Sequence, residues 1–279
     1  MARNPELRFV KGHGTGNDFI LILDFEGEIE ITPEQVRFMC DRHRGLGADG
    51  VIRVVRTARV PEVASMAEAA EWFMDYRNAD GSISEMCGNG SRVFARYLDA
   101  TGLITDAEVN IATRGGVRLV SMESDLTITI DMGIPTTPPE TAVVTVGSRQ
   151  FPAIGVMIPN PHAVCFVDSL DDAGDLLVSP GVAPESVFDD GANVEFVVVL
   201  GDDHLSMRVF ERGVGETLSC GTGACAAAFA HLRRIDAPAG REVRVDVPGG
   251  TLNITENHAG HLLLRGPADL VARGTVLLP

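Results

Sequence analysis

EMCGNGSRVFARYL at residues 85–98 and LSCGTGACAAAFAHL at residues 218–232 decide how this chain is built. In each, a Cys-Gly-x-Gly turn leads into an Ala-rich or apolar run that reads as a helix, and Cys87 and Cys220 stand 133 residues apart. At that offset MDYRNADGSISEMCGNG (74–90) lies over MRVFERGVGETLSCGTG (207–223) without a gap. Met74, Cys87, Gly88 and Gly90 each meet a residue of their own kind. Further on, Ala95 falls on Ala228 and Gly133 on Gly266. With one residue inserted, TRGGVRLV (113–120) pairs with VPGGTLNI (247–254). Fixed-offset similarity of this sort marks a duplicated structural unit. The unit reads as strand, loop, Cys at a helix start, then a hairpin with Gly-Gly at its turn. Two such modules related by a pseudo-dyad predict two cysteines facing each other across one cleft.

Outward from the repeat, the pattern is rich in strands. LRFVKGHGTGNDFILILD predicts strand, Gly-rich turn, strand. TPEQVRFMCDRH (32–43) predicts a helix with Thr32 as N-cap and Pro33 in the first turn. RGLGADGVIRVVR predicts a turn and a strand, and WFMDYRN another strand. Residues 57–71, TARVPEVASMAEAAE, show no strong apolar face and read as an exposed insertion or hairpin tip. Strands are expected at 109–112, 117–122, 126–131, 153–158, 163–168, 194–200, 206–211, 242–247, 251–255 and 262–265. The Pro-rich stretch PTTPPETA (135–142) reads as a linker. So many strands for so few helices point to an α+β fold rather than to βαβ units.

The chain has 279 residues, enough for one large domain or two. A formal charge of −16 argues against sequence-independent nucleic-acid binding and against an anionic membrane surface as partner. MARNPELRFV lacks the apolar core of a secretory leader, and no run approaches the ~18 apolar residues of a membrane span, so a cytoplasmic protein is expected. Five cysteines, an odd number spread widely, do not suit a disulfide framework.

Cys87 and Cys220 sit where a glycine-rich turn enters a helix. The positive end of the helix dipole favours thiolate there. Unpaired N–H groups of the first turn form an anion site suited to a carboxylate, and glycine lets the backbone approach it. A pair of such sites suits stereoinversion: one thiolate removes an α-proton and a thiol returns a proton to the opposite face. N–H donors stabilise the charge that develops, each worth about 10²–10³ in rate. Lys11 is the sole lysine and has no recognisable pyridoxal-phosphate setting, so a mechanism without cofactor is expected. Neither a tight Cys-x-x-Cys nor added His spacing suggests a zinc site, so no metal is expected. Cys40, Cys165 and Cys225 read as small core residues. A redox disulfide between Cys87 and Cys220 would inactivate such an enzyme.

HGTGNDFI, RNADGSISEMCGNGSR, IPNPHAV, GANVEFV and ERGVGETLSCGTGA, in this order, resemble the diaminopimelate epimerase family. The resemblance implies two pseudo-symmetric domains, each a curved, mostly antiparallel sheet around a central helix: residues 1–131 with 268–279, and 132–267. It implies pyridoxal-phosphate-independent interconversion of LL- and meso-2,6-diaminopimelate, serving lysine and peptidoglycan synthesis, by a homodimer. Cys87 matches the catalytic proton donor and Cys220 the acceptor in the LL-to-meso direction. Gly88, Asn89, Gly221 and Thr222 match the helix-start grip on the reacting carboxylate. Asn17, Asn78, Asn160, Asn193, Glu211 and Arg212 match the substrate-binding set. His162 and Glu211 match the pair that adjusts the cysteine pKa values. A distal carboxylate suits Arg212 as a bidentate clamp. Glu211 occupies the repeat position of Asn78, which marks where the two modules diverge. Gly50 stands where many relatives carry Gln.

Proline racemase and hydroxyproline epimerase share the two-cysteine fold, but their second motif places an Asp shortly before the Cys, unlike ERGVGETLSC here. Phenazine-type isomerases keep the fold without the cysteine pair. A non-enzymatic thiol switch is the reading from a different class, and it would not exchange α-protons.

Overall fold

Residues 6–279 are described by a computed structural model, so the leader reading of the N-terminus falls partly outside the described residues. The first strands form the expected hairpin: β1 (Glu6–Gly14) pairs antiparallel with β2 (Asn17–Leu23). Thr15 and Gly16 turn it at φ 51° and 81°. Helix α1 (Pro33–Cys40) has Thr32 as N-cap in a capping box with Gln35. It stops at Cys40, three residues before the expected end, because the Asp41 carboxylate accepts from the backbone N–H groups of His43 and Arg44 and forms a turn. Next come β3 (Gly50–Arg56), β4 (Trp72–Asn78), helix α2 (Gly88–Ala100), β5 (Glu108–Thr113), β6 (Gly116–Met122) and β7 (Ile128–Asp131).

β8 (Ala142–Val146), β9 (Arg149–Met157), β10 (Pro161–Phe166), β11 (Gly181–Ala183), β12 (Asn193–Gly201), β13 (His204–Glu211) and β14 (Gly215–Thr217) follow. Helix α3 (Gly221–Arg234) precedes β15 (Glu242–Val247), β16 (Gly250–Glu256), β17 (Leu262–Gly266) and β18 (Asp269–Leu277). Strands dominate and the class is α+β.

The chain divides into two compact units, Met1–Ile130 with Pro267–Pro279, and Asp131–Gly266. In the first, the pairing runs β18–β1–β2–β3–β4–β5–β6–β7. Only β2/β3 and β4/β5 are parallel. In the second it runs β8–β9–β10–β12–β13–β15–β16–β17, parallel only at β10/β12 and β13/β15. The two sequences of pairings correspond strand for strand, β1 with β9 through β7 with β17. Parallel neighbours need a long crossover, and in both units the second crossover carries the central helix.

Each central helix is buried nearly all round. α2 packs on β1, β2, β3, β4 and β18, with Val93, Phe94, Ala95 and Leu98 fully buried. α3 packs on β9, β10, β12, β13, β15, β16 and β17, with Ala224, Ala226, Ala227, Ala228 and Ala230 fully buried. The alanines let surrounding strands approach the helix backbone closely.

Two expectations are corrected. Residues 57–71 are not an exposed tip: two short 3-10 turns, Thr57–Arg59 and Ala64–Met66, lay Val60, Val63 and Ala70 against Val55, Phe73 and Ala112 in a small core of their own. The apolar side chains come too irregularly for a helical or strand period, so no face was legible. Residues 135–142 are not a free linker either. Thr136 exchanges backbone hydrogen bonds with Met157, Pro138 packs over Gly155, and Ala142 is fully buried at the start of β8.

Candidate active site

Cys87 is the N-cap of α2, in extended backbone at φ −142°. Its half-buried sulfur accepts the Gly90 N–H at 3.5 Å and lies 3.8 Å from Asn17 Oδ1. That oxygen also accepts from Asn89 Nδ2 at 3.2 Å, while Asn17 Nδ2 donates to Asp49 Oδ2 at 2.8 Å. The Asp49 carboxylate can only accept, so it settles which way the Asn17 amide points. Behind Asn89 the buried Arg92 guanidinium donates to Asn89 Oδ1 and to the Pro267 carbonyl. Asn78 ends β4 and spends its side-chain amide on Ser82 Oγ at 3.0 Å. The first unit thus gathers Cys87, Gly88, Asn89 and Asn17 at one helix start.

Cys220 caps α3 in the same way, its sulfur accepting the Gly223 N–H at 3.4 Å with Thr222 Oγ1 also at 3.4 Å. Here the environment differs. Burial pushes the Cys220 thiol well up, the Glu211 and Glu195 carboxylates push it further, and the Thr222 and Gly223 donors only partly oppose them. The sequence expectation of a helix dipole favouring thiolate is therefore corrected for Cys220: desolvation and two carboxylates outweigh the helix end. Burial likewise pushes Cys40 and Cys165 up to about 12, in keeping with core residues. All five cysteines are free.

His162 is fully buried, with Nδ1 2.6 Å from Glu195 Oε1 and Nε2 3.1 Å from Asn160 Oδ1. Asn193 accepts the Arg212 backbone N–H at 2.8 Å, and Glu211 Oε1 accepts from Thr217 Oγ1 at 2.5 Å. The exposed Arg212 guanidinium makes a 3.4 Å contact to the Asp190 carbonyl. The second unit thus brings together Cys220, Gly221, Thr222, Asn160 and His162, with Asn193, Glu211 and Arg212 along the β12/β13 edge.

Strand registers match positions between the units. Phe19 is paired with Gly50 on β2/β3, and His162 with Asn193 on β10/β12. Two residues earlier stand Asn17, the first residue of β2, and Asn160, just before β10. Val51 faces Arg77 and Val194 faces Phe210, a pair separated by the repeat offset. Glu195 therefore matches Ile52. This residue was missed from sequence; the available signal was a lone carboxylate in NVEFVVVL, an otherwise apolar run on a strand with a parallel neighbour.

Gly50 also has a physical account. A Cβ there would meet Tyr76 Cε2 at 2.6 Å and the Arg77 carbonyl at 2.7 Å, so any side chain would displace Tyr76. Among the described residues no three His, Cys, Asp or Glu are grouped to hold a metal, and no helix is long and apolar enough to cross a membrane.

This arrangement of strands and helices is a known one. A phenazine biosynthesis protein of the PhzF family from Bacillus anthracis superposes with a TM-score of 0.70 at 17% identity, covering 98% of this chain and 100% of that one. A hydroxyproline epimerase from Agrobacterium vitis gives a TM-score of 0.70 at 15% identity over 97% of this chain and 92% of that one. The fold is thus one shared with these two proteins. Sequence narrows the class: the diaminopimelate epimerase family model matches residues 9–138 and 154–271. The diaminopimelate epimerase of Streptomyces coelicolor is 52% identical, over 97% of this chain and 96% of that protein. That of Thermobifida fusca is 46% identical over 98% of both. The chain belongs to the diaminopimelate epimerase family.

Proposed function

We propose that this protein interconverts LL- and meso-2,6-diaminopimelate by a two-cysteine acid–base mechanism that needs no cofactor. One observation carries the reading most: each unit starts its central helix on a cysteine whose sulfur accepts the N–H three residues on. Inversion at an α-carbon needs one group to take a proton and a second to give one, and Cys87 and Cys220 supply the pair. The N–H groups of the helix starts, at Gly88 and Asn89 in one unit and Gly221 and Thr222 in the other, suit the reacting carboxylate. They lower the cost of the enediolate-like charge as the α-proton leaves. Asn17, Asn78, Asn160, Asn193, Glu211 and Arg212 supply the acceptors, amide donors and guanidinium that a distal ammonium and carboxylate require. His162 and Glu211 adjust the proton affinity of the sulfurs.

The electrostatics favour the form with Cys220 as thiol, because burial and two carboxylates oppose its charge. In that form Cys220 gives a proton and Cys87 takes one; the reverse direction uses the complementary form. A homodimeric cytoplasmic enzyme of lysine and peptidoglycan synthesis is the setting that suits this chemistry.

Proton NMR of LL-diaminopimelate with the reduced protein in D2O tests the reading. Deuterium is expected at one α-carbon as the meso isomer appears. Exchange confined to proline or hydroxyproline would reassign the substrate, and no exchange with any amino acid would leave a thiol switch. Cys87→Ala and Cys220→Ala should each abolish epimerisation; turnover in either rejects the two-base scheme.

A further inference from the structure

Behind the two cysteines the units diverge at one matched place. A Cβ on Gly90, three residues after Cys87, would meet Ile52 Cδ1 at 3.2 Å and Phe19 Cε1 at 3.5 Å. A Cβ on Gly223, three residues after Cys220, would meet Glu195 Oε1 at 2.7 Å and Cys220 Sγ at 3.3 Å. The first helix start therefore rests on a hydrocarbon pair, Phe19 and Ile52. The second meets Glu195, which is fully buried and bonded to the equally buried His162. Glu195 Oε1 and Cys220 Sγ flank one point at 2.7 and 3.3 Å, which leaves them about 6 Å apart or less.

Glu195 is costly where it stands. Its Oε2 is buried and has no hydrogen-bond partner among the described residues, an arrangement that natural cores avoid. Its Oε1 leaves room only for glycine at 223. The equivalent site in the first unit is filled by isoleucine, so the fold itself does not require a carboxylate there. Residues that break a local rule without a stabilising return belong to function more often than to packing.

The consequence lies in His162. A carboxylate accepts and does not donate, so the His162 nitrogen facing Glu195 must carry a proton. Nδ1 is that nitrogen, which leaves Nε2 of the neutral ring an acceptor, so the Asn160 amide must turn over from the orientation with Oδ1 at 3.1 Å and donate to Nε2 through Nδ2. A partner on one ring nitrogen sets the state and direction of the other. We propose that Glu195 is a positioning residue for the second half-site: it pins the proton on His162 Nδ1 and, through the ring, holds the Asn160 amide in its binding orientation. This rests on the epimerase reading, in which Asn160 grips substrate.

Three variants test it. Glu195→Ile copies the first unit; Glu195→Gln keeps the shape and an acceptor oxygen; Asn160→Ala removes the group acted upon. Steady-state epimerisation should show KM raised about tenfold in Glu195→Ile with a smaller change in kcat, and most of it recovered in Glu195→Gln. In the Asn160→Ala background, Glu195→Ile should add less than about twofold, since both act along one path. Nitrogen-15 NMR of histidine-labelled protein without substrate should show the His162 Nδ1 proton in wild type and Glu195→Gln and its loss in Glu195→Ile. Wild-type KM in Glu195→Ile, full additivity with Asn160→Ala, or a retained Nδ1 proton in Glu195→Ile would overturn the proposal. If Glu195→Ile does not fold, Glu195→Gln decides alone: it must keep the Nδ1 proton and a KM within about threefold of wild type. A wild-type protein that fails to epimerise diaminopimelate rejects the reading of activity, while the His162 spectrum still decides the role of Glu195.

Discussion

Asn17 and Asp49 are joined by a 2.8 Å hydrogen bond from Nδ2 to Oδ2, which turns Asn17 Oδ1 toward Cys87 Sγ at 3.8 Å. Asp49 is itself held by Arg42, which also bonds Asp18. Without Asp49 the Asn17 amide keeps its 3.2 Å bond from Asn89 Nδ2 but loses the partner that fixes its Nδ2. Asp49→Ala should lower kcat/KM about tenfold, the scale of one charge-assisted hydrogen bond, with a smaller effect on thermal stability, since the carboxylate is partly exposed. Epimerisation assays and a melting curve on the same preparation check both halves.

The two helix-start glycines should not tolerate alanine equally. Gly223→Ala forces Cβ to 2.7 Å from Glu195 Oε1, while Gly90→Ala meets nothing nearer than Ile52 at 3.2 Å. Overpacking of the first kind costs about 1–3 kcal/mol. Gly223→Ala is therefore expected to melt several degrees below Gly90→Ala by calorimetry. Equal melting temperatures would show that Glu195 can move aside.

Stability should fall in alkali through buried thiols. Cys40 and Cys165 lose their protons near 9.0 when unfolded and near about 12 when folded. The folded form binds the extra protons between those limits, so stability is full below pH 9 and declines as pH rises toward 12. Urea midpoints at pH 7 and at about pH 10.5 should show this drop, and Cys40→Ala with Cys165→Ala should reduce it.

Iodoacetamide at neutral pH should separate the cysteines in the folded protein. Cys87 is half-buried at its helix start, whereas Cys220 is buried with its thiol pushed well up. Only thiolate alkylates readily. Mass spectrometry should find Cys87 modified first, Cys220 more slowly, and Cys40 and Cys165 untouched until the chain unfolds.

Much of the architecture was legible because the repeat preserved residue types that backbone geometry demands. Gly90 recurs as Gly223, where an added Cβ would meet Ile52 at 3.2 Å and Glu195 at 2.7 Å, and a periodic strand pattern placed β4 and β13 around them. Val60 and Val63 were not legible, because 3-10 turns impose no period that a sequence displays. β18 was missed for a related reason: most of its side chains are exposed, so alternation is weak, and its partner β1 lies at the far end of the chain. At the site, Cys87 and Cys220 could be read from the turn that precedes a helix. Glu195 could not be read from spacing, since only the fold brings His162 Nδ1 within 2.6 Å of it. The raised Cys220 thiol likewise depends on burial, which outweighs the local helix end.

The strand pairing of β1 with β18 ties Glu6 to Leu277 across the whole length of the polypeptide. Unit Asp131–Gly266 is continuous, while the other unit needs Pro267–Pro279 to finish its sheet and to bury Leu7 and Phe9 beside Val276 and Leu278. A ribosome delivers these parts in order, N-terminus first. The middle of the chain can therefore mature before the beginning does, and Cys220 can reach its final setting while Cys87 still waits for the last strand. A premature stop a dozen codons early would leave one half of the chemistry assembled and the other on an unfinished scaffold.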